Sequence, residues 1–246
     1  MKVLKGKAAL VTGGSRGMGA AVAQRLAADG ANVAITYQSS VERAQEVVAT
    51  LRDLGVKAKA IRADAARPEH VLEAVDQVAE AFGEIDILVN NAGVFNVKPV
   101  QDFSLEDYEQ TMSVNVRSVF VGTQAVLKYM PAGGRVITVG SNLAEHVPMP
   151  GCTLYSLSKA ALIGFTKALA REVGEREITV NIVHPGSTNT EMNPADGPVS
   201  DVQRSLMAIP RYAEPEDIAN LVAWIAGPVS RSVTGAGFTI DNGTNA

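Results

Sequence analysis

The chain has 246 residues, 46% hydrophobic and 20% charged, enough to bury a sizeable core in one large α/β domain or two small ones. A formal net charge of -4 without a Lys/Arg-rich run excludes the electrostatic footprint of a nucleic-acid polymer binder or of a protein held on an anionic membrane. No apolar run approaches the ~20 residues of a membrane span.

Met1 to Lys7 enters an apolar segment with neither the apolar core nor the small-residue cleavage site of a signal peptide, so the cytoplasm is the expected compartment. Lys7 to Thr12 predicts a first strand that ends in Gly13-Gly14-Ser15-Arg16-Gly17-Met18-Gly19, and Ala20 to Asp29 a helix stopped by Gly30. Asn32 to Tyr37 is a second strand, Val41 to Leu54 a helix closed by Gly55, and Val56 to Ala63 a third strand. Glu69 to Phe82 is helical up to Gly83, and Ile87 to Asn90 makes strand four. Leu105 to Tyr129 predicts one long helix, ended by Pro131 and the Gly133-Gly134 turn. Arg135 to Gly140 is strand five, Thr153 to Arg176 another long helix, and Ile178 to Val183 strand six. After Pro185-Gly186 the segment 187–210 turns irregular and is expected to form a lid; Pro215 to Ala226 is a helix and Gly237 to Ile240 a last strand.

Strands alternating with helices along the whole chain require a parallel sheet covered on both faces. The pattern therefore predicts one α/β domain over residues 1–246, a Rossmann-type doubly wound sheet of about seven strands. Cys152 is the only cysteine, so neither an internal disulfide nor a cysteine metal cluster can form, and no motif for a metal is present.

Gly13, Gly17 and Gly19 lie between the first strand and the first helix, where glycine dihedrals and free backbone N–H groups suit a phosphate; a tight turn alone would use the same spacing. An acidic residue about 20 positions later would select NAD by bonding the ribose 2′-hydroxyl. Here the second strand ends in Tyr37-Gln38-Ser39-Ser40, with no carboxylate before Glu42, and Arg16 sits in the loop. These groups suit a 2′-phosphate, so NADP(H) is the expected cofactor. Tyr155 and Lys159, four apart on a helix, project from one face. The ammonium is expected to pull the phenol below its usual pKa of ~10, toward acid–base use.

Thr12 to Gly19, Asn90-Asn91-Ala92-Gly93, Asn115, Ser141, Tyr155 to Lys159 and Pro185-Gly186, in this order along the chain, together resemble the short-chain dehydrogenase/reductase family. The likeness is greatest to the 3-oxoacyl-carrier-protein reductase-like branch, and residues 192–198 and 205–209 resemble a subgroup with biofilm-dispersal proteins thought to bind a cyclic dinucleotide. The resemblance implies Tyr155 as general acid/base, Ser141 as its partner at the carbonyl oxygen, Lys159 on the phenol and the nicotinamide ribose, and Asn115 holding a proton-relay water. It implies cofactor contacts from Gly13, Ser15, Arg16, Gly17 and Met18, from Tyr37, Ser39 and Asp64, and from Asn91, Ala92 and Gly93, the last three under the adenosine ribose. Pro185, Gly186, Thr188 and Thr190 would sit at the nicotinamide. Thirteen residues separate Ser141 from Tyr155, toward the long end for the family, which points to a reshaped intervening loop.

The expected function is an NADPH-dependent ketone reductase or alcohol dehydrogenase; the alternatives are a nucleotide-binding regulatory protein on the same fold and a 3-oxoacyl-carrier-protein reductase. Leu143, Val147, Met149, Pro150, Met192 and Met207 are expected to give the substrate cleft an apolar bias, with Glu145 and His146 as polar points, which suits a small-molecule ketone or secondary alcohol. None of His70, His146 and His184 is assigned to catalysis. The resemblance also implies a homotetramer.

Overall fold

The computed structural model describes residues 2–246; Met1, the start of the segment read for a leader, lies outside the described residues. Seven strands, β1 (Ala8–Val11), β2 (Asn32–Tyr37), β3 (Ala58–Arg62), β4 (Ile87–Asn90), β5 (Arg135–Val139), β6 (Thr179–Pro185) and β7 (Gly237–Ile240), pair in parallel in the order β3-β2-β1-β4-β5-β6-β7. The inner strands are buried on both faces, and period-two alternation sends their side chains into two cores. Ala9 and Val11 of β1 and Ile87 and Val89 of β4 enter one core, while Leu10 and Leu88 enter the other.

The helices are α1 (Gly17–Ala28), α2 (Val41–Asp53), α3 (Pro68–Phe82), α4 (Leu105–Met112), α5 (Ser118–Val126), α6 (Thr153–Glu172), α7 (Ser200–Ser205) and α8 (Pro215–Ala226). Apolar stripes of α1, α2 and α8 close the first core, and those of α3, α5 and α6 the second. Among the described residues no helix is long and apolar enough to cross a membrane.

Four elements depart from the sequence pattern. The single helix expected over 105–129 is two helices joined by a π-turn at Ser113–Arg117. The inserted turn carries Asn115 inward, 1% exposed, where its amide bonds other elements. The helix expected to reach Arg176 stops at Glu172 and gives way to a 3₁₀ turn over Gly174–Arg176. β6 runs on to Pro185, whose missing N–H costs nothing at the end of a ladder. The lid segment contains α7 as well as loop.

Strand order reverses at β1 and β4, since β1 leads outward to β2 and β3 while β4 starts the other half of the sheet. The carboxyl ends of the strands open a crevice at that point.

Candidate active site

At the end of β1 the Thr12 hydroxyl accepts from the backbone N–H groups of Asn91 (3.0 Å) and Ala92 (3.1 Å). The Asn91 amide in turn donates to the carbonyls of Thr12 (2.9 Å) and Gly13 (3.1 Å). These bonds stitch the ends of β1 and β4 together beneath the glycine loop. Gly17 holds a φ of +51°, and a Cβ on Gly19 would collide with the Asn91 side chain. The loop can therefore lie flat on Asn91 only with glycine at these points. α1 starts without a capping side chain and without an acid in its first turn, so the N–H groups of Gly17, Met18 and Gly19 are left to bind an anion at the edge of the crevice.

Two adjoining clefts run along the strand ends and share Met18, Thr190 and Met192. One passes from Asp64, Tyr37 and Ser39 over the glycine loop; the other holds Ser141, Tyr155, Pro185, Gly186 and Thr188. Every sequence-derived cofactor candidate lines one of the two except Lys159, which with Asn115 is buried behind the wall. A glycine-rich anion site between a polar adenosine-sized end and a reactive end is what an extended dinucleotide requires.

Ser141 follows β5, and its Oγ accepts from the Leu143 N–H (3.1 Å) to start a short 3₁₀ turn over Asn142–Ala144. Its carbonyl, which can only accept, lies 2.9 Å from His184 Nδ1, so that nitrogen carries the proton. Burial lowers the His184 pKa and keeps the ring neutral. Tyr155, in the first turn of α6, packs edge-on against Phe95 with ring centroids 4.7 Å apart. Lys159 Nζ sits 5.8 Å from the Tyr155 ring centroid and donates to the Val139 carbonyl at 2.9 Å. Asn115 Nδ2 donates to the Val94 carbonyl and to Ser158 Oγ, each at 3.0 Å, and Ser158 Oγ donates to the Tyr155 carbonyl at 2.7 Å. The π-turn is thus tied to the turn of α6 that carries Tyr155.

The expectation of a lowered phenol pKa is overturned. Burial pushes Tyr155 up to about 12, against an opposing pull from the hydrogen bond with Ser141. Burial also brings Lys159 down to about 8, and its proton is directed at Val139 rather than at the phenol. The free site holds a protonated phenol, with desolvation outweighing the hydrogen bond from Ser141. The Asn115 side chain is likewise more engaged than a water anchor requires, since Oδ1 also accepts from the Val94 N–H at 2.9 Å. A Cβ on Gly93 would lie 3.4 Å from that Oδ1 and 3.6 Å from Lys159 Nζ, so the missing side chain keeps the space between them open.

In the substrate cleft Leu143, Met149 and Met192 stand where expected, whereas Val147 and Pro150 point to solvent and Met207 is buried in the lid. Glu145 and His146 are exposed outside the lining. Gln203 and Leu206 join the wall from the expected lid, and Phe95 and Thr244 from segments with no motif that only folding brings here. The sequence also pointed to no carboxylate near Arg16. Glu191 is one: it bonds Arg16 Nη1 at 2.9 Å and Arg43 Nη1 at 2.6 Å. Arg43, in the first turn of α2, carried no cofactor signal in the sequence.

A family model described as enoyl-(acyl carrier protein) reductase matches residues 13–245. A cyclic-di-GMP-binding biofilm dispersal mediator protein of Escherichia coli strain K12 is 39% identical over 246 residues, covering 100% of both chains. A short chain dehydrogenase from Burkholderia cenocepacia J2315, solved in complex with NADP, superposes with a TM-score of 0.98 at 59% identity over 99% of this chain and 100% of its own. A blue fluorescent protein from a metagenomic library, solved with NADPH, does so with a TM-score of 0.98 at 50% identity over 99% and 100% of the two chains.

Proposed function

Because the chain belongs to the short-chain dehydrogenase/reductase family, we propose that it is an NADPH-dependent carbonyl reductase acting on small or medium apolar ketones and, in reverse, on secondary alcohols. The observation that carries this is Tyr155, a protonated phenol at the floor of an apolar cleft, flanked by Ser141 and backed by Lys159. With its pKa raised to about 12, the phenol keeps its proton throughout the neutral range and is ready to give it to an oxygen.

The bound cofactor supplies a hydride to the carbonyl carbon. Tyr155 then gives its proton to the carbonyl oxygen, which completes the alcohol. The Ser141 hydroxyl donates to the same oxygen as negative charge builds there, so its stabilisation is concentrated in the transition state. Lys159, with a pKa of about 8, is charged at neutral pH; it holds the ribose beside the nicotinamide and offsets charge on the phenolate left behind. Asn115 Oδ1 and Lys159 Nζ on either side of Gly93 provide the route by which Tyr155 recovers a proton from solvent.

At the adenosine end, Arg16 and Arg43 with Ser39 and Ser40 favour a 2′-phosphate, so the cofactor is NADP(H); the cofactors bound by the Burkholderia and metagenomic relatives support this. Phe120 and Leu157 on one side, and Trp224 and Val229 on another, are exposed apolar residues suited to the two interfaces of a homotetramer.

A second reading, a regulatory protein that binds a cyclic dinucleotide, is favoured by the full-length similarity to the biofilm dispersal mediator. Purified protein with NADPH and a panel of ketones and 3-oxoacyl thioesters separates them. The reductase reading expects NADPH oxidation with at least one ketone; none with any compound, together with cyclic di-GMP displacing NADPH, would replace it with the second.

A further inference from the structure

Glu191 lies in the lid between Thr190 and Met192, which line the cleft, yet its carboxylate reaches back to the adenosine end. Arg43 Nη1 approaches both of its oxygens, at 2.7 and 2.6 Å, and Arg16 Nη1 approaches Oε2 at 2.9 Å. Arg16 comes from the glycine loop and Arg43 from the helix that follows Ser39 and Ser40, so the pairs join segments 148 and 175 residues apart in the chain. The two guanidinium groups converge on one anion position, in the geometry that equally serves a phosphate. All three side chains are about half exposed, so the pairs exchange with solvent and with a competing anion.

Building on the NADP(H) reading, we propose that Glu191 is a specificity-determining residue that competes with the cofactor 2′-phosphate for Arg16 and Arg43 and so holds down the preference for NADPH over NADH. A 2′-phosphate that takes the two cations leaves Glu191 unpaired beside a dianion; if Glu191 keeps them, the phosphate loses its partners. Either way the carboxylate costs NADPH affinity, while NADH, with only a hydroxyl there, leaves the pairs intact. The charge is the cause, so the isosteric amide removes the effect without altering shape.

Calorimetric titration of the wild type and Glu191→Gln with NADPH and with NADH tests this without turnover. The expected result is an NADPH Kd about three- to tenfold lower in Glu191→Gln, the scale of two exposed ion pairs, with the NADH Kd unchanged. In an Arg43→Ala background the gain from Glu191→Gln should shrink, because one contested cation is gone. Equal affinities for the two cofactors in the wild type that stay equal in Glu191→Gln would overturn the 2′-phosphate reading and this proposal together. An NADPH preference that Glu191→Gln leaves alone, weakens, or accompanies with an equal change for NADH would overturn the proposal only.

Discussion

Lys159 is buried to 4% exposure with a hydrogen bond from its ammonium to Val139, and this sets the charge that the proposed chemistry uses against the cost of burying it. Its pKa falls to about 8 from an ordinary 10.5, so between those values the unfolded chain holds the proton that the folded chain has lost. Stability contributed at this site therefore rises with pH through that window, by on the order of a few kcal/mol, and the penalty is fully present below it. Urea unfolding of the wild type and Lys159→Met across the window should show the wild type gaining on the variant as pH rises; parallel curves would refute the assignment. That Tyr155 and Lys159 share one face of a helix was legible from their spacing, while the role given to them rested on the family resemblance. The direction of the phenol's shift was not legible, because desolvation depends on Phe95, Ser141 and the cleft walls, which spacing does not describe.

Among the elements, α7 fastens the lid. Gln203 Oε1 accepts from Ser187 (2.6 Å), Asn193 (2.9 Å) and Tyr212 (2.8 Å), so one side chain ties both ends of the lid to its helix and faces the substrate cleft. With the bond that Gln203 Nε2 donates to Asn193 Oδ1 (3.2 Å), truncation removes four neutral hydrogen bonds from a segment that lines the cleft of Tyr155, and should act there first. Gln203→Ala is expected to raise KM for the ketone on the order of tenfold with little change in NADPH Kd. An equal loss of cofactor affinity would mean that the lid is organised differently. Strands and most helices were legible because buried strands read as apolar runs and glycines mark helix ends. The π-turn and α7 were not: the apolar pattern runs through Ser113–Arg117 unbroken, and Pro194, Gly197 and Pro198 disguise a helix that starts two residues later.

Across the whole molecule, two half-sheets diverge from β1 and β4, and the site lies where their carboxyl ends part. The glycine loop comes from the first half and Ser141, Tyr155 and Lys159 from the second, so the anion site and the reactive phenol meet only when the sheet is complete. Alternation of strands and helices announced that sheet, and the glycine, Asn-Asn-Ala-Gly and Tyr155–Lys159 motifs announced the cofactor face. The second cleft also draws on Phe95 and Thr244, from segments far apart in the chain, and proximity of that kind is a property of the fold rather than of any local pattern. The central claim, that hydride reaches a carbonyl while Tyr155 delivers the proton, is tested by incubating a reducible ketone with NADPH carrying deuterium at both nicotinamide C4 positions, using wild type and Tyr155→Phe. The account predicts deuterium on the carbinol carbon with the wild type and at least a hundredfold slower transfer with Tyr155→Phe at undiminished NADPH affinity, the scale of a lost general acid. Undeuterated alcohol, or equal transfer rates in the two proteins, would contradict it.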